Sequence, residues 1–297
     1  MAIMIVGKDG QLGFELRRAF TALGPVTSLG RAELDLADAD AIRRAVRAIA
    51  PTLVVNAAAY TAVDRAEAEP DLARAVNTLA PGVLAEECAR LGAALVHYST
   101  DYVFDGMRRA PYRETDAPNP LNVYGRTKLE GERAVQAAGG VFLIFRTAWV
   151  YSARGRNFLL TIRRLSHERE ALQVVDDQVG CPTWARLVAE ATARVLQASR
   201  VVETRDTGWL RERRGLYHLA CGGETSWCAF AQAIVAQVPG ARPVPVYPIP
   251  TSAYPTPARR PAYSVLDCSR ARQVLGVELP RWDEGLRRCA ADMAESG

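Results

Sequence analysis

Along the first half of the chain the apolar positions switch repeatedly between two periods. Short β-branched runs predict strands at Ala2–Val6, Val26–Leu29, Leu53–Asn56, Ala94–Ser99 and Val141–Arg146. Between them the apolar residues fall at helical spacing. Leu12, Leu16, Ala19, Phe20 and Leu23 line one face of a helix over Leu12–Leu23, stopped by Gly24-Pro25. Asp40–Ala50 reads as a second helix, capped by Asp38 or Asp40. Asp71–Leu91 reads as helix interrupted at Pro81-Gly82, and Asn122–Ala138 as helix closed by Gly139-Gly140. Strands that alternate with helices pair in parallel, because right-handed crossovers lay helices on both sheet faces. The fold class expected is α/β, a Rossmann-type doubly wound parallel sheet.

Beyond Tyr151 the alternation loosens. Phe158–Arg169 and Trp184–Ser199 read as helices and Gly215–Ala220 as a strand. The stretch RPVPVYPIPTSAYPTPARRP (242–261) is too rich in proline for helix or strand, and is expected to be an ordered loop over a cleft. No internal repeat is visible.

Composition removes several function classes. Net charge is +4, but the arginines are scattered among acids, with no basic stripe interleaved with aromatics, so nucleic acid is not the expected partner. No run approaches the roughly 20 apolar residues of a membrane span. Only six residues precede Gly7, too few for the apolar core of a signal peptide, and the expected location is cytoplasmic. Six cysteines without a CxxC pair and three widely separated histidines argue for reduced, buried thiols rather than a metal site.

Two patterns carry chemistry. Gly7-Lys8-Asp9-Gly10-Gln11-Leu12-Gly13 joins the first strand to the first helix. Glycines there let backbone approach a pyrophosphate, which the N–H groups and dipole of the helix start attract. The end of the second strand, where a carboxylate would accept from the 2′-hydroxyl of NAD, reads Ser28-Leu29-Gly30-Arg31, with no acid before Glu33. Arg31 and Ser28 fit a 2′-phosphate instead, so NADPH is the expected cofactor and NADH the alternative. Asp35 and Leu36 are placed beside the adenine, and Ala57, Ala58 and Ala59 give small side chains where backbone passes the cofactor. The second pattern is Tyr124 four residues before Lys128, about 6 Å along a helix and on one side of it. A phenol titrates near pH ~10, and an ammonium beside it lowers that value toward the working range of a proton relay. Thr100, at a strand end where open parallel sheets place ligands, offers a hydroxyl to the same site.

Glycine turn, strand-end hydroxyl and YxxxK stand in the order of one superfamily. The chain resembles the extended short-chain dehydrogenase/reductases, with Thr100, Tyr124 and Lys128 at the positions of their catalytic trio. HYSTDYVFDG, PLNVYGRTKLEGE, FRTAWVY, DDQVGCPT and PTSAYPTPARRPAYSVLD make it more specifically similar to the dTDP-4-dehydrorhamnose reductases, over nearly the whole chain. The resemblance implies NADPH-dependent reduction of a dTDP-sugar ketone at C4. Tyr124 would donate the proton, and Lys128 would hold the nicotinamide ribose and lower the tyrosine pKa. Thr100 would bond the same oxygen. It further implies that Asp101 and Trp149 touch the sugar, that Arg259 or Arg260 clamps the substrate diphosphate, and that Asn77 stands near the cofactor. Residues 1–150 would then form a dinucleotide-binding domain, rejoined by part of 172–200, and 151–297 mainly a smaller α/β substrate-binding domain. Some relatives hold Mg²⁺ between subunits through glutamates. Glu15 stands at one such place, but Arg186 occupies another, so the sequence does not support a metal, and monomer or homodimer is left open. Two other readings remain: another nucleotide-sugar reductase or epimerase of the same fold, and a non-catalytic NADP-binding subunit like the one that regulates methionine adenosyltransferase. A dehydratase fits less well, because Tyr102 follows Thr100-Asp101 where those enzymes carry a second acid.

Overall fold

The computed structural model describes residues 3–295; Ala2, the first residue of the expected opening strand, lies outside them. The strands are β1 (Ile3–Val6), β2 (Val26–Leu29), β3 (Leu53–Asn56), β4 (Ala94–Thr100) and β5 (Val141–Thr147). They continue as β6 (Val150–Tyr151), β7 (Leu172–Val175), β8 (Val179–Gly180), β9 (Thr183–Trp184), β10 (Gly215–His218), β11 (Thr225–Ser226) and β12 (Val246–Ile249). Six of them form one parallel sheet in the order β2-β1-β3-β4-β5-β10. The order in which strands are added reverses between β1 and β3, which opens a crevice at their C-terminal ends.

Helices α1 (Gln11–Ala19), α2 (Ala39–Ile49), α3 (Val63–Ala66), α4 (Pro70–Arg74), α5 (Ala80–Leu91), α6 (Val123–Ala137), α7 (Phe158–Glu168) and α8 (Ala185–Ser199) cover both faces. α2 and α5 bury Ile42, Val46, Leu84 and Cys88 against Met4, Val54 and Leu95 on one side. α1 and α8 bury Leu12, Leu16, Val188 and Val195 against Ile3, Ile5, Val55 and Val96 on the other. The doubly wound sheet is as expected, and its sixth strand comes from the later part of the chain, beside β5.

Three elements differ from the expected pattern. α1 stops at Ala19 rather than Leu23, since Phe20 caps it and the following turn closes through Leu23 N–H on the Phe20 carbonyl. The expected break at Pro81-Gly82 does not occur. Pro81 lacks the N–H that would bond the Asn77 carbonyl, and the helix widens into a π turn over Ala75–Leu79 instead of breaking. The proline-dense stretch holds a strand after all. β12 pairs in parallel with β7, and Leu172 N–H and Asp176 N–H donate to the Pro245 and Ile249 carbonyls at 2.9 and 3.0 Å. In a two-stranded sheet Pro248 needs no donor of its own on the free edge.

One buried ion pair ties α6 to the sheet. Arg146 on β5 and Glu132 on α6 meet bidentately at 2.8 and 2.7 Å, and Ser99 on β4 donates to the same carboxylate. The guanidinium also lies 5.0 Å over the Phe104 ring. Arg146→Met leaves that carboxylate buried without its counter-charge and is expected to lower unfolding stability by about 3–5 kcal/mol in denaturant titration. Pairing it with Glu132→Leu should recover most of the loss.

Candidate active site

The crevice at the C-terminal ends of β1, β3 and β4 deepens into a cleft of about 750 Å³. Its floor at one end is the glycine turn. Gly7 has φ +92°, and a Cβ there would sit 2.7 Å from the Ala58 nitrogen, so the two backbones meet with no room for a side chain. A Cβ on Gly13 would lie 2.0 Å from the Gly7 carbonyl oxygen, so this third glycine lets α1 pack against the turn and does not itself line the cleft. Gly10 caps α1 without a side chain, and the first turn carries no acid, which leaves the helix N-terminus open to an anion. This turn, with the bare start of α1 at Gly10 facing the cleft, fits a dinucleotide pyrophosphate.

Along the same wall lie Gln11, Leu12, Arg31, Asp35, Leu36 and the alanines Ala57, Ala58 and Ala59. Arg31 is exposed and has no bonded partner among the described residues. Glu33, the first acid after β2, is turned to Lys8 and accepts from Gly30 N–H at 2.8 Å, away from a ribose-reading position. Asn77 is buried in the π turn rather than in the cleft wall. Its side chain accepts from Tyr60 N–H at 2.8 Å and donates to the Tyr60 carbonyl and Thr127 hydroxyl.

Thr100, Asp101, Tyr124, Lys128 and Trp149 line the cleft together. α6 begins at the Asn122 cap, whose side chain accepts from Gly125 N–H at 2.7 Å. Glu67 accepts from Val123 N–H at 2.7 Å, and these two bonds fix the turn that carries Tyr124. Tyr102 meets the Tyr124 ring edge-on at 5.8 Å. Enclosure by protein pushes the Tyr124 phenol up to about 12, with the Thr100 hydroxyl pulling against that rise and Asp101 adding to it. Lys128 is buried and its pKa is lowered to about 8 by burial, with Glu132 opposing. Its ammonium turns inward and donates to the Tyr98 carbonyl at 2.6 Å. The expected lowering of the tyrosine pKa by this lysine is therefore absent from the free protein, where desolvation dominates. Asp101 is raised to about 7 by burial, and Thr100 donates to it at 3.0 Å.

Trp149 sits at φ +46°, an uncommon conformation for a bulky residue, and stacks face to face on Trp227, 3.5 Å between centroids. Its indole edge fills the space where Gly180 lacks a Cβ. Trp227, Arg156 and Asp9 line the cleft without having been singled out from the sequence. Ser226, which caps the helix starting at Trp227, marks that helix but not its neighbour across the cleft. Arg259 and Arg260 do not line the cleft. Arg260 is held by Asp64 at 2.8 Å and by the Thr256 hydroxyl and Ala258 carbonyl, while Arg259 is exposed and its carbonyl accepts from Asn122. Both arginines belong to the proline-rich loop that clips α3 to the start of α6.

No three acidic, histidine or cysteine side chains converge as metal ligands among the described residues. Glu15 accepts from Arg186 at 2.9 Å, and Arg186 also pairs with Asp292. No described helix is long and apolar enough to cross a membrane.

The RmlD substrate binding domain family matches residues 1–295. The chain is 49% identical to the dTDP-4-dehydrorhamnose reductase of Burkholderia thailandensis over 99% of both chains. The chain belongs to the dTDP-4-dehydrorhamnose reductase family. The Salmonella typhimurium member is 41% identical over 99% of this chain and 98% of that one. Among solved structures, the family member from Clostridium acetobutylicum superposes with a TM-score of 0.90 at 36% identity, covering 99% of this chain and 100% of that one. The dTDP-4-dehydrorhamnose reductase of Bacillus anthracis, solved in complex with NADP, gives 0.88 at 33% identity, covering 98% and 99%.

In this family member the enclosed phenol should stay protonated far into the alkaline range. The difference between ultraviolet pH titrations of the wild type and Tyr124→Phe is expected to place its ionisation above pH ~10, the value of a free tyrosine. A step below that value would contradict the desolvated setting.

Proposed function

We propose that this chain reduces the C4 ketone of dTDP-4-dehydro-β-L-rhamnose to dTDP-L-rhamnose with NADPH. The observation that carries this reading is the convergence of Thr100, Tyr124 and Lys128 in one cleft with the glycine turn. Bound NADPH supplies the hydride for C4. The turn Gly7–Leu12 and the start of α1 would hold the pyrophosphate, Arg31 the 2′-phosphate, Asp35 and Leu36 the adenine side, and Ala57–Ala59 the wall beside it.

Tyr124 is suited to give a proton in this direction, because a phenol raised to about 12 is protonated at working pH. As negative charge develops on the sugar oxygen, the Thr100 hydroxyl donates to it and Tyr124 transfers its proton. Lys128 is largely charged at neutral pH with a pKa of about 8, and its ammonium would hold the nicotinamide ribose and stabilise the phenolate left behind. Asp101 and Trp149 would orient the sugar, and Trp227 backs the Trp149 ring. We place the dinucleotide mainly in residues 1–150, with α8 packed on α1 and β10 extending the sheet, and the sugar side mainly in 151–297. Substrate-diphosphate binding by Arg260 would need its side chain to leave Asp64 and turn toward the cleft, and Arg259 would have to turn in from the surface.

Purified protein is expected to oxidise NADPH when given dTDP-4-dehydrorhamnose. Tyr124→Phe should lose about 10²–10⁴ in kcat while its NADPH affinity stays within a few-fold of wild type. A protein that binds NADPH and oxidises none of it with this sugar is the regulatory type of relative instead. A second measurement concerns Arg31. Arg31→Ala should lower kcat/KM for NADPH by about tenfold or more and leave the value for NADH nearly unchanged, as loss of a charged hydrogen bond requires. An equal effect on both cofactors would remove the 2′-phosphate role.

A further inference from the structure

Behind Lys128 lies a histidine that the chemistry above does not use. His97 on β4 has 0% exposure. Its Nε2 lies 3.4 Å from Lys128 Nζ and its Nδ1 lies 3.2 Å from Asn56 Nδ2. Asn56 is the last residue of β3 and stands directly across the ladder from His97. The Asn56 amide is not free to turn over, because its Oδ1 accepts from Ala58 N–H at 3.2 Å, in the cofactor wall.

These contacts determine where the imidazole proton sits. An amide NH₂ only donates, so Nδ1 must accept, and a neutral ring then carries its hydrogen on Nε2. Burial keeps the ring neutral, well below the usual histidine range, and the lysine charge pushes in the same direction. The Nε2–H therefore points at Lys128 Nζ. An ammonium offers only hydrogens in return, whereas a neutral amine offers a lone pair.

We propose that His97 is a positioning residue for the reaction: locked as the Nε2–H tautomer by Asn56, it adds to burial in disfavouring the Lys128 ammonium and shifts the pH at which that charge is lost. The other charged and titratable groups around the lysine are few. Glu132, one turn further along α6, is already held by Arg146 of β5 and Ser99 of β4. Tyr124 lies one turn back on the same helix, and Asp101, at the end of β4, lines the same cleft. Among the described residues, the one strong acceptor of the lysine is the Tyr98 carbonyl. The chain from Ala58 N–H through Asn56 and His97 thus links the cofactor wall to the lysine charge, and it rests on the catalytic reading of Lys128 given above.

Two measurements decide it. Long-range ¹⁵N NMR on the wild-type protein, with the His97 signals identified by their loss in His97→Gln, is expected to show an unprotonated Nδ1 and a protonated Nε2. The Nδ1–H tautomer would overturn the proposal, and this readout needs neither turnover nor a variant with full activity. If His97→Gln does not fold, His167→Gln and His218→Gln assign the remaining signals by elimination. The second measurement is the pH profile of kcat/KM. Lys128 must be charged to act, so activity falls as pH rises through its pKa. His97→Gln places an amide oxygen opposite the ammonium and should move that alkaline limb upward by about one pH unit, a shift of the size a new hydrogen bond to the charged form produces. An unmoved limb contradicts the role. A protein with no sugar-reducing activity at all would end the function proposed earlier and the positioning role with it, while the tautomer spectrum would still decide whether Asn56 locks His97.

Discussion

The close docking of α6 on the end of β4 is the constraint on which the rest of the site depends. A Cβ on Gly125 would lie 2.2 Å from the Tyr102 carbonyl oxygen, and one on Gly131 would lie 2.0 Å from that of Asn77. Only glycine at both places lets the helix approach so closely. The approach brings Tyr124 against Thr100 and Lys128 onto the Tyr98 carbonyl, while the bidentate pair between Glu132 and Arg146 pins the following turn of the helix to β5. The motif therefore does two things at once: YxxxK supplies the groups proposed to react, and the glycines between and after them supply the contact distance.

Burial away from water dominates the electrostatics of this cleft. It raises Tyr124 and Asp101 and lowers Lys128 and His97, so these four groups are each pushed toward the neutral form. A reductase gains from this arrangement, because a protonated phenol can give its proton away. The lysine ammonium then matters most when negative charge develops in the reaction, not in the resting cleft.

Much of this was legible in the sequence, for reasons that differ from element to element. β3 has the expected bounds because a buried parallel strand is a short apolar run between sharp turns, and half-buried β2 has them because Gly24-Pro25 and Gly30 bracket it. The glycine turn and the YxxxK pair were legible because local spacing along one turn or one helix already fixes their geometry. Trp227 was not, since nothing in ETSWCAF announces a partner 78 positions earlier in the chain; only the fold stacks it on Trp149. The helical break at Pro81 was misread because a π turn absorbs the missing hydrogen bond before it reaches the proline. The strand in 246–249 was misread because proline counts against a strand only where both edges need donors. The inward turn of Lys128 was hidden for a related reason: the Tyr98 carbonyl that holds it is a backbone group, invisible to residue-type spacing.

The most direct test is a crystal structure of the chain with NADP and dTDP-L-rhamnose. The account predicts the sugar C4 oxygen within about 2.6–3.2 Å of both the Tyr124 and Thr100 hydroxyls, with the nicotinamide on the adjoining face of C4. A sugar oriented with C4 away from Tyr124, or a nicotinamide lying outside the cleft, would contradict it.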